Sequence, residues 1–215
     1  MAVKVRLLYE KTDKMRFVGH LDLLKLFQRA LKRAAIPVTY SQGFNPHQDV
    51  AFALPLPLGM PGLGECVDIT LTEMPAADIC PVLDETLPKG LKILAARVLT
   101  EGEKNAASLI CAASYEMVFP NEQTARACTG LMQETAVHVM KQTKTKTRQA
   151  DIRPDILAME QDGCTVYATL AAGSARNLKP SLIVAHICGT SQKTQAQITR
   201  MALFKSEKNE LTALF

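Results

Sequence analysis

Apolar and polar residues alternate at the start of the chain and then change to a helical spacing. Val3, Val5, Leu7 and Tyr9 stand against Lys4 and Arg6, the period of two of a half-buried strand, with Leu8 the exception. Over residues 20–35 the period becomes helical. Leu24, Phe27, Leu31 and Ala34 fall on one side, and Lys25, Arg29, Lys32 and Arg33 on the other. Pro37 stops that helix. Residues 49–54 and 66–72 read as strands separated by Gly59, Gly62 and Gly64. Residues 76–86 read as a short helix, despite Pro81 within it, and 91–99 as another strand.

The second half repeats this order. Residues 109–119 read as a strand, and 121–141 as a long helix with Asn121 as its N-cap. Residues 156–160 and 165–170 form a predicted hairpin around Gln161, Asp162 and Gly163. A helix over 180–187, with Pro180 near its first position, and a strand over 198–204 complete the pattern. Strand, helix, strand, strand, helix, strand, twice over, predicts an α+β protein of two tandem ferredoxin-like (βαββαβ) modules with antiparallel sheets. The expected modules are residues 1–102 and 103–215, joined in the polar segment 101–105 that contains Gly102. One face of each sheet then needs a cover: the other module, a partner or a ligand.

Composition adds little beyond excluding disorder. The chain has 215 residues, 47% hydrophobic and 21% charged, with a net charge of +4. Its six cysteines, at 66, 80, 111, 128, 164 and 188, include no pair closer than fourteen residues. Zinc and iron–sulfur sites draw ligands from tight pairs, so no metal or other cofactor is expected. The cysteines read as reduced thiols of a cytoplasmic protein. No basic start with an apolar core marks a secretory leader, and no window holds the ~20 apolar residues of a membrane span.

Charge is distributed unevenly, and this changes the picture. Residues 1–33 hold nine Lys or Arg against three acids, while residues 34–88 hold seven acids and no Lys or Arg. Such segregation suggests a polarised face meant for an anion. Lys25, Arg29, Lys32 and Arg33 lie within about a quarter of the helix circumference and match either a row of phosphates or a solvated helix face. Lys141, Lys144, Lys146, Arg148 and Arg153, opposed only by Asp151, form a second cluster: a solubilising linker or a mobile basic arm on the same backbone.

His20 and His47 are the candidates for acid–base chemistry. His20 falls on the apolar side of the wheel, which suits a packed structural residue, whereas His47 lies in the loop Ser41-Gln42-Gly43-Phe44-Asn45-Pro46-His47. Tyr40 and Phe44 flank that loop, placed either to stack on bases or to pack in the core. Gly59 to Gly64 resembles a phosphate loop but lacks the Lys-Ser/Thr that should follow, and reads as a turn.

Together, Arg16-Phe17-Val18-Gly19-His20-Leu21-Asp22, Arg29-Ala30-Leu31-Lys32-Arg33-Ala34, the 41–47 loop, Leu56-Pro57-Leu58-Gly59 and Glu65 with Asp68 resemble the radical-SAM-linked domain of unknown function. Asp151-Ile152-Arg153-Pro154 and Lys179-Pro180 resemble its C-terminal landmarks. The chain departs from that pattern at Gln48 and Asp49, where proline and a basic residue are more usual, and at Gly19, where serine is common. The resemblance implies a radical SAM enzyme, on a separate chain, as partner. The chain itself contains no C-x-x-x-C-x-x-C triad with which to hold a radical SAM cluster. A looser similarity of architecture links the chain to CRISPR repeat-processing endoribonucleases, which licenses no activity.

Three functions follow as expectations. The first is an accessory protein, non-catalytic or only conditionally catalytic, that presents RNA or a ribonucleoprotein to the radical SAM enzyme. Lys25, Arg29, Lys32, Arg33, Lys144, Arg148 and Arg153 would then grip phosphates, and Gln42, Asn45 and His47 would meet a base or the partner. The second is a metal-independent endoribonuclease with His20 or His47 as general base. The third is a pure interaction module docking on the radical SAM subunit.

Overall fold

The computed structural model describes residues 2–73, 78–142, 147–189 and 196–215. The protein is α+β, with a mostly antiparallel sheet and, among the described residues, five α-helices. The first half runs β1 (Val3–Lys11), α1 (His20–Arg33), β2 (Val50–Phe52), β3 (Gly62–Leu71), α2 (Ile79–Asp84) and β4 (Leu91–Val98). After a one-turn helix α3 (Ala106–Leu109) come β5 (Ile110–Val118), α4 (Glu122–Gly130), the ribbon β6 (His138–Gln142) and β7 (Thr147–Asp151), β8 (Ile156–Asp162), β9 (Thr165–Ala171), α5 (Pro180–Cys188), β10 (Gln197–Glu207) and β11 (Glu210–Ala213).

Where the sequence predicts a sheet in each half, the strands of both halves join in one of nine strands. Its order is β4-β1-β3-β10-β5-β9-β8, with β2 on β3 and β11 on β10. The halves meet where β3 and β10 run parallel, Arg200 opposite Gly62, with the Arg200 N–H donating to Pro61 O at 3.0 Å. Gly64 permits this approach, because a Cβ there would collide with the Met201 carbonyl.

Two cores form on the covered faces. Val5, Leu7 and Tyr9 of β1 and Val67, Ile69 and Leu71 of β3 pack against Leu23, Phe27, Ala30 and Leu31 of α1. In the second half Tyr115, Met117, Val166, Ala168 and Leu170 pack against Ala125 and Cys128 of α4 and Ile183 and Val184 of α5. Leu8 breaks the alternation of β1 because it packs on that second core, from the other face of the strand.

Several of the charges that make the N-terminal region look polarised in sequence are internal and form no part of an anion-facing surface. Arg6 is fully buried and pairs with Asp68, Nε to Oδ1 at 2.7 Å and Nη2 to Oδ2 at 3.0 Å. It also donates to Lys104 O at 3.1 Å, while Asp68 accepts from the Ala106 N–H at 2.7 Å. This network and the Arg97–Glu103 pair, at 3.0 and 2.6 Å, fix the expected joint at 101–105 against the sheet. Lys11 is buried and donates to Val18 O at 2.7 Å, and burial pushes its pKa down. Glu65 is buried against Arg200, with Nε and Nη2 at 2.7 and 2.5 Å.

Other expectations shift. The helix predicted over 121–141 ends at Gly130; a 3-10 turn follows, and the chain then enters β6. Asn121 does cap α4, accepting from the Thr124 N–H at 2.8 Å. The predicted hairpin turn moves by one residue, to Gly163 and Cys164, with Gly163 at φ +55°. The helix predicted from 76 begins at Ile79 behind its cap Asp78, and residues 76 and 77 lie outside the described residues. Among the described residues, no helix is long and apolar enough to cross a membrane.

Candidate functional site

α1 begins near the Lys11 end of β1 and finishes near the opposite end, where Val38 pairs with Leu71. Leu23, Phe27, Ala30 and Leu31 lie against β1 and β3, so the other face must point outward; Leu24, expected on the apolar side, is only half-buried, and Leu23 takes its place in the core. Lys25, Arg29, Lys32 and Arg33 are all exposed on it. Lys25 Nζ lies 3.9 Å from Asp22 Oδ1, an exposed contact worth little. Arg33 Nη2 donates to Thr86 O at 2.6 Å and is thereby held against the end of α2. Arg29 and Lys32 have no salt-bridge partner among the described residues.

A cleft of about 660 Å³ separates α1 from residues 86–88. Val18, Leu26, Leu87 and Pro88 supply its apolar lining, and Lys25, Arg29 and Arg33 its cations, with Asp22 the one acid. Such a cleft has room for a nucleotide-sized group, with an apolar surface for a ring and fixed positive charge for a phosphate. Leu87 and Pro88 escaped the sequence reading, because no local pattern says that α1 and the α2–β4 connection stand side by side.

The 41–47 loop leaves the sheet edge at the far end of α1. Ser41 N–H donates to His47 O at 2.8 Å, His47 N–H to Ser41 Oγ at 3.1 Å, and Ser41 Oγ lies 2.9 Å from His47 Nδ1. Gln42, Asn45 and His47 are all exposed. His20, expected as a packed residue, is exposed at the start of α1 and touches the Phe52 ring edge-on at 5.5 Å. Among the described residues no carboxylate pairs with either histidine.

The second basic cluster divides. Lys144 and Lys146 lie outside the described residues. Lys141 and Arg148 stand directly opposite each other on the β6–β7 ribbon, neither linker nor loose arm. Like charges in that register repel. Arg153 is not available for phosphates: its guanidinium donates to Met132 O at 2.8 Å, Glu134 O at 3.1 Å and Ile156 O at 3.1 Å, tying the turn after α4 to β8.

A second groove, about 1030 Å³, lies between residues 54–61 and the start of α5, and Arg16 stacks over the exposed Phe17 ring at 4.8 Å on its rim. Gly59 and Pro61 line this groove rather than a phosphate loop. Burial pushes the Cys66 and Cys128 thiols up to about 12, so neither is a thiolate near neutrality.

No curated protein matches the chain. A family model does match, over residues 4–180, and its description mentions neither a radical SAM enzyme nor RNA. With about four-fifths of its length matched, the chain belongs to the family described as "uncharacterized protein conserved in bacteria (DUF2344)".

Proposed function

We propose that the protein is an RNA-binding accessory factor that presents RNA or a ribonucleoprotein to a separate radical SAM enzyme. The observation that carries this is the exposed row Lys25, Arg29, Lys32 and Arg33 beside a partly apolar cleft, in whose described lining Asp22 is the one acid. Four cations along one rigid helix match successive phosphates, and each phosphate neutralised adds salt-dependent affinity. The facing cations Lys141 and Arg148 supply a further anion contact, since a shared phosphate would relieve their repulsion. The radical SAM partner rests on the sequence motifs alone.

On this proposal each half is a ferredoxin-like unit, residues 1–102 and 103–215. The strand order β4-β1-β3-β2 in the first half and β10-β5-β9-β8 in the second supports it. The test is binding of a labelled single-stranded RNA to the full chain and to Arg29→Glu/Lys32→Glu. The proposal predicts binding at low salt that the reversal abolishes. Equal affinity of the two proteins would contradict it.

The endoribonuclease reading draws on one observation, the fixing of His47 Nδ1 by Ser41 Oγ, which orients an exposed imidazole. RNA cleaved by the wild type in chelator, and left intact by His47→Ala, is its signature. Intact RNA with both proteins removes it.

A further inference from the structure

The α1 face leaves the 41–47 loop without a task, yet the chain fixes that loop carefully. Thr39 N–H donates to Thr70 O at 2.8 Å, Thr70 N–H to Asp49 O at 3.1 Å and Asp49 N–H to Thr39 O at 2.9 Å, so both legs are anchored on β3. Tyr40 pairs with Gln48 one step further out, and the Ser41–His47 contacts close the neck. Gly43, at φ +132°, then turns the tip through a conformation that L residues rarely adopt. What this support displays is Phe44, at 105% relative accessibility, with its whole ring in water.

The ring's surroundings decide what it fits. Phe44 has Gln42, Gly43, Asn45, Pro46 and His47 as its neighbours along the loop, all exposed. A plug for a protein pocket would bring further apolar side chains, since hot spots are packed and desolvated clusters. Here the other exposed apolar groups are only Pro46 and, at the neck, Tyr40, itself a stacking ring, and a ring flanked by two amides suits a nucleobase: a face to stack on, and donors and acceptors for its edge. Residues 41–47 contain no acid, and the loop leaves the sheet at the end where α1 brings Lys32 and Arg33.

We infer that the loop reads an unpaired base: Phe44 stacks on one base of a single-stranded RNA segment, and Gln42 and Asn45 hydrogen-bond its edge. This rests on the phosphate-binding role of α1 and narrows its substrate class to single-stranded RNA. A base in a duplex already has both faces stacked and its pairing edge occupied.

The experiment uses the full chain and an RNA carrying 2-aminopurine, as a single strand and as a duplex. The wild type is expected to prefer the single strand and to quench the aminopurine on binding. Phe44→Ala should weaken binding by about 5- to 150-fold, the effect of losing one base–aromatic stack, and lose the quench. Phe44→Trp should restore both, and Phe44→Leu neither. Because the ring touches water only, thermal midpoints should match the wild type. Full affinity in Phe44→Ala or Phe44→Leu, or equal binding of the duplex, overturns the inference. If Arg29→Ala/Lys32→Ala still loses affinity in that case, the α1 role stands and only the loop's role falls. No RNA binding by the wild type overturns both.

Discussion

Arg200→Met withdraws a guanidinium from the seam between the halves and leaves its partner behind. Arg200 and Glu65 are each 1% exposed, so no water can replace the two hydrogen bonds at 2.7 and 2.5 Å. The Leu54 carbonyl also loses its donor at 2.8 Å. Burial alone would lower the Arg200 pKa, but the Glu65 carboxylate and the Tyr115 hydroxyl outweigh it and raise it. Breaking a buried pair by removing one member costs about 3–5 kcal/mol, because the other charge is stranded. For a chain of this size that is a fall of about 6–20 °C in Tm. Urea denaturation of Arg200→Met, Glu65→Leu and the double variant measures the coupling. The double variant should be more stable than Arg200→Met, since it strands no charge. A loss below roughly 1 kcal/mol in Arg200→Met, or strict additivity in the double variant, would refute the argument.

Two further outcomes test the same frame. Gly64→Ala places a methyl group against the Met201 carbonyl, a backbone obstacle, and should cost about 1–3 kcal/mol in thermal or chemical denaturation; an unchanged midpoint would mean β3 and β10 are not so close. The Arg97 hydrogen bond lowers the Glu103 pKa from 4.5 to about 2, so its contribution is complete above pH 4.5 and is lost as pH falls toward 2. The stability gap between the wild type and Glu103→Gln should therefore shrink over that range, and a gap constant with pH would contradict the pairing.

What the sequence made legible was local. Alternation placed β1, residues 91–99 and 109–119 read as the strands that became β4 and β5, the wheel placed the outer face of α1, and Asn121 marked the start of α4. Partners far apart in sequence left no such trace. Arg6 and Asp68, or Glu65 and Arg200, meet 62 and 135 residues apart, so buried cations read as surface charge. The 121–141 helix was overread because the alternation of Val137 and Val139 is only two apolar residues long, although Gly130 marked the break. β11 was missed because Lys208 and Asn209, at φ +50° and +68°, make a hairpin turn without a glycine. In the candidate site, the cations were legible from helical spacing. Their apolar neighbours Leu87 and Pro88, the anchoring of Arg153 and the exposure of Phe44 depended on tertiary structure.

The most direct test of the central claim is the salt dependence of RNA affinity. Four α1 cations on a single strand contribute about 2.8 to the slope of log Kd against log salt, to which the Lys141–Arg148 contact adds, and Arg29→Ala/Lys32→Ala should cut the slope by about 1.4. A flat dependence, or a slope that the double variant leaves unchanged, would contradict phosphate recognition by this face.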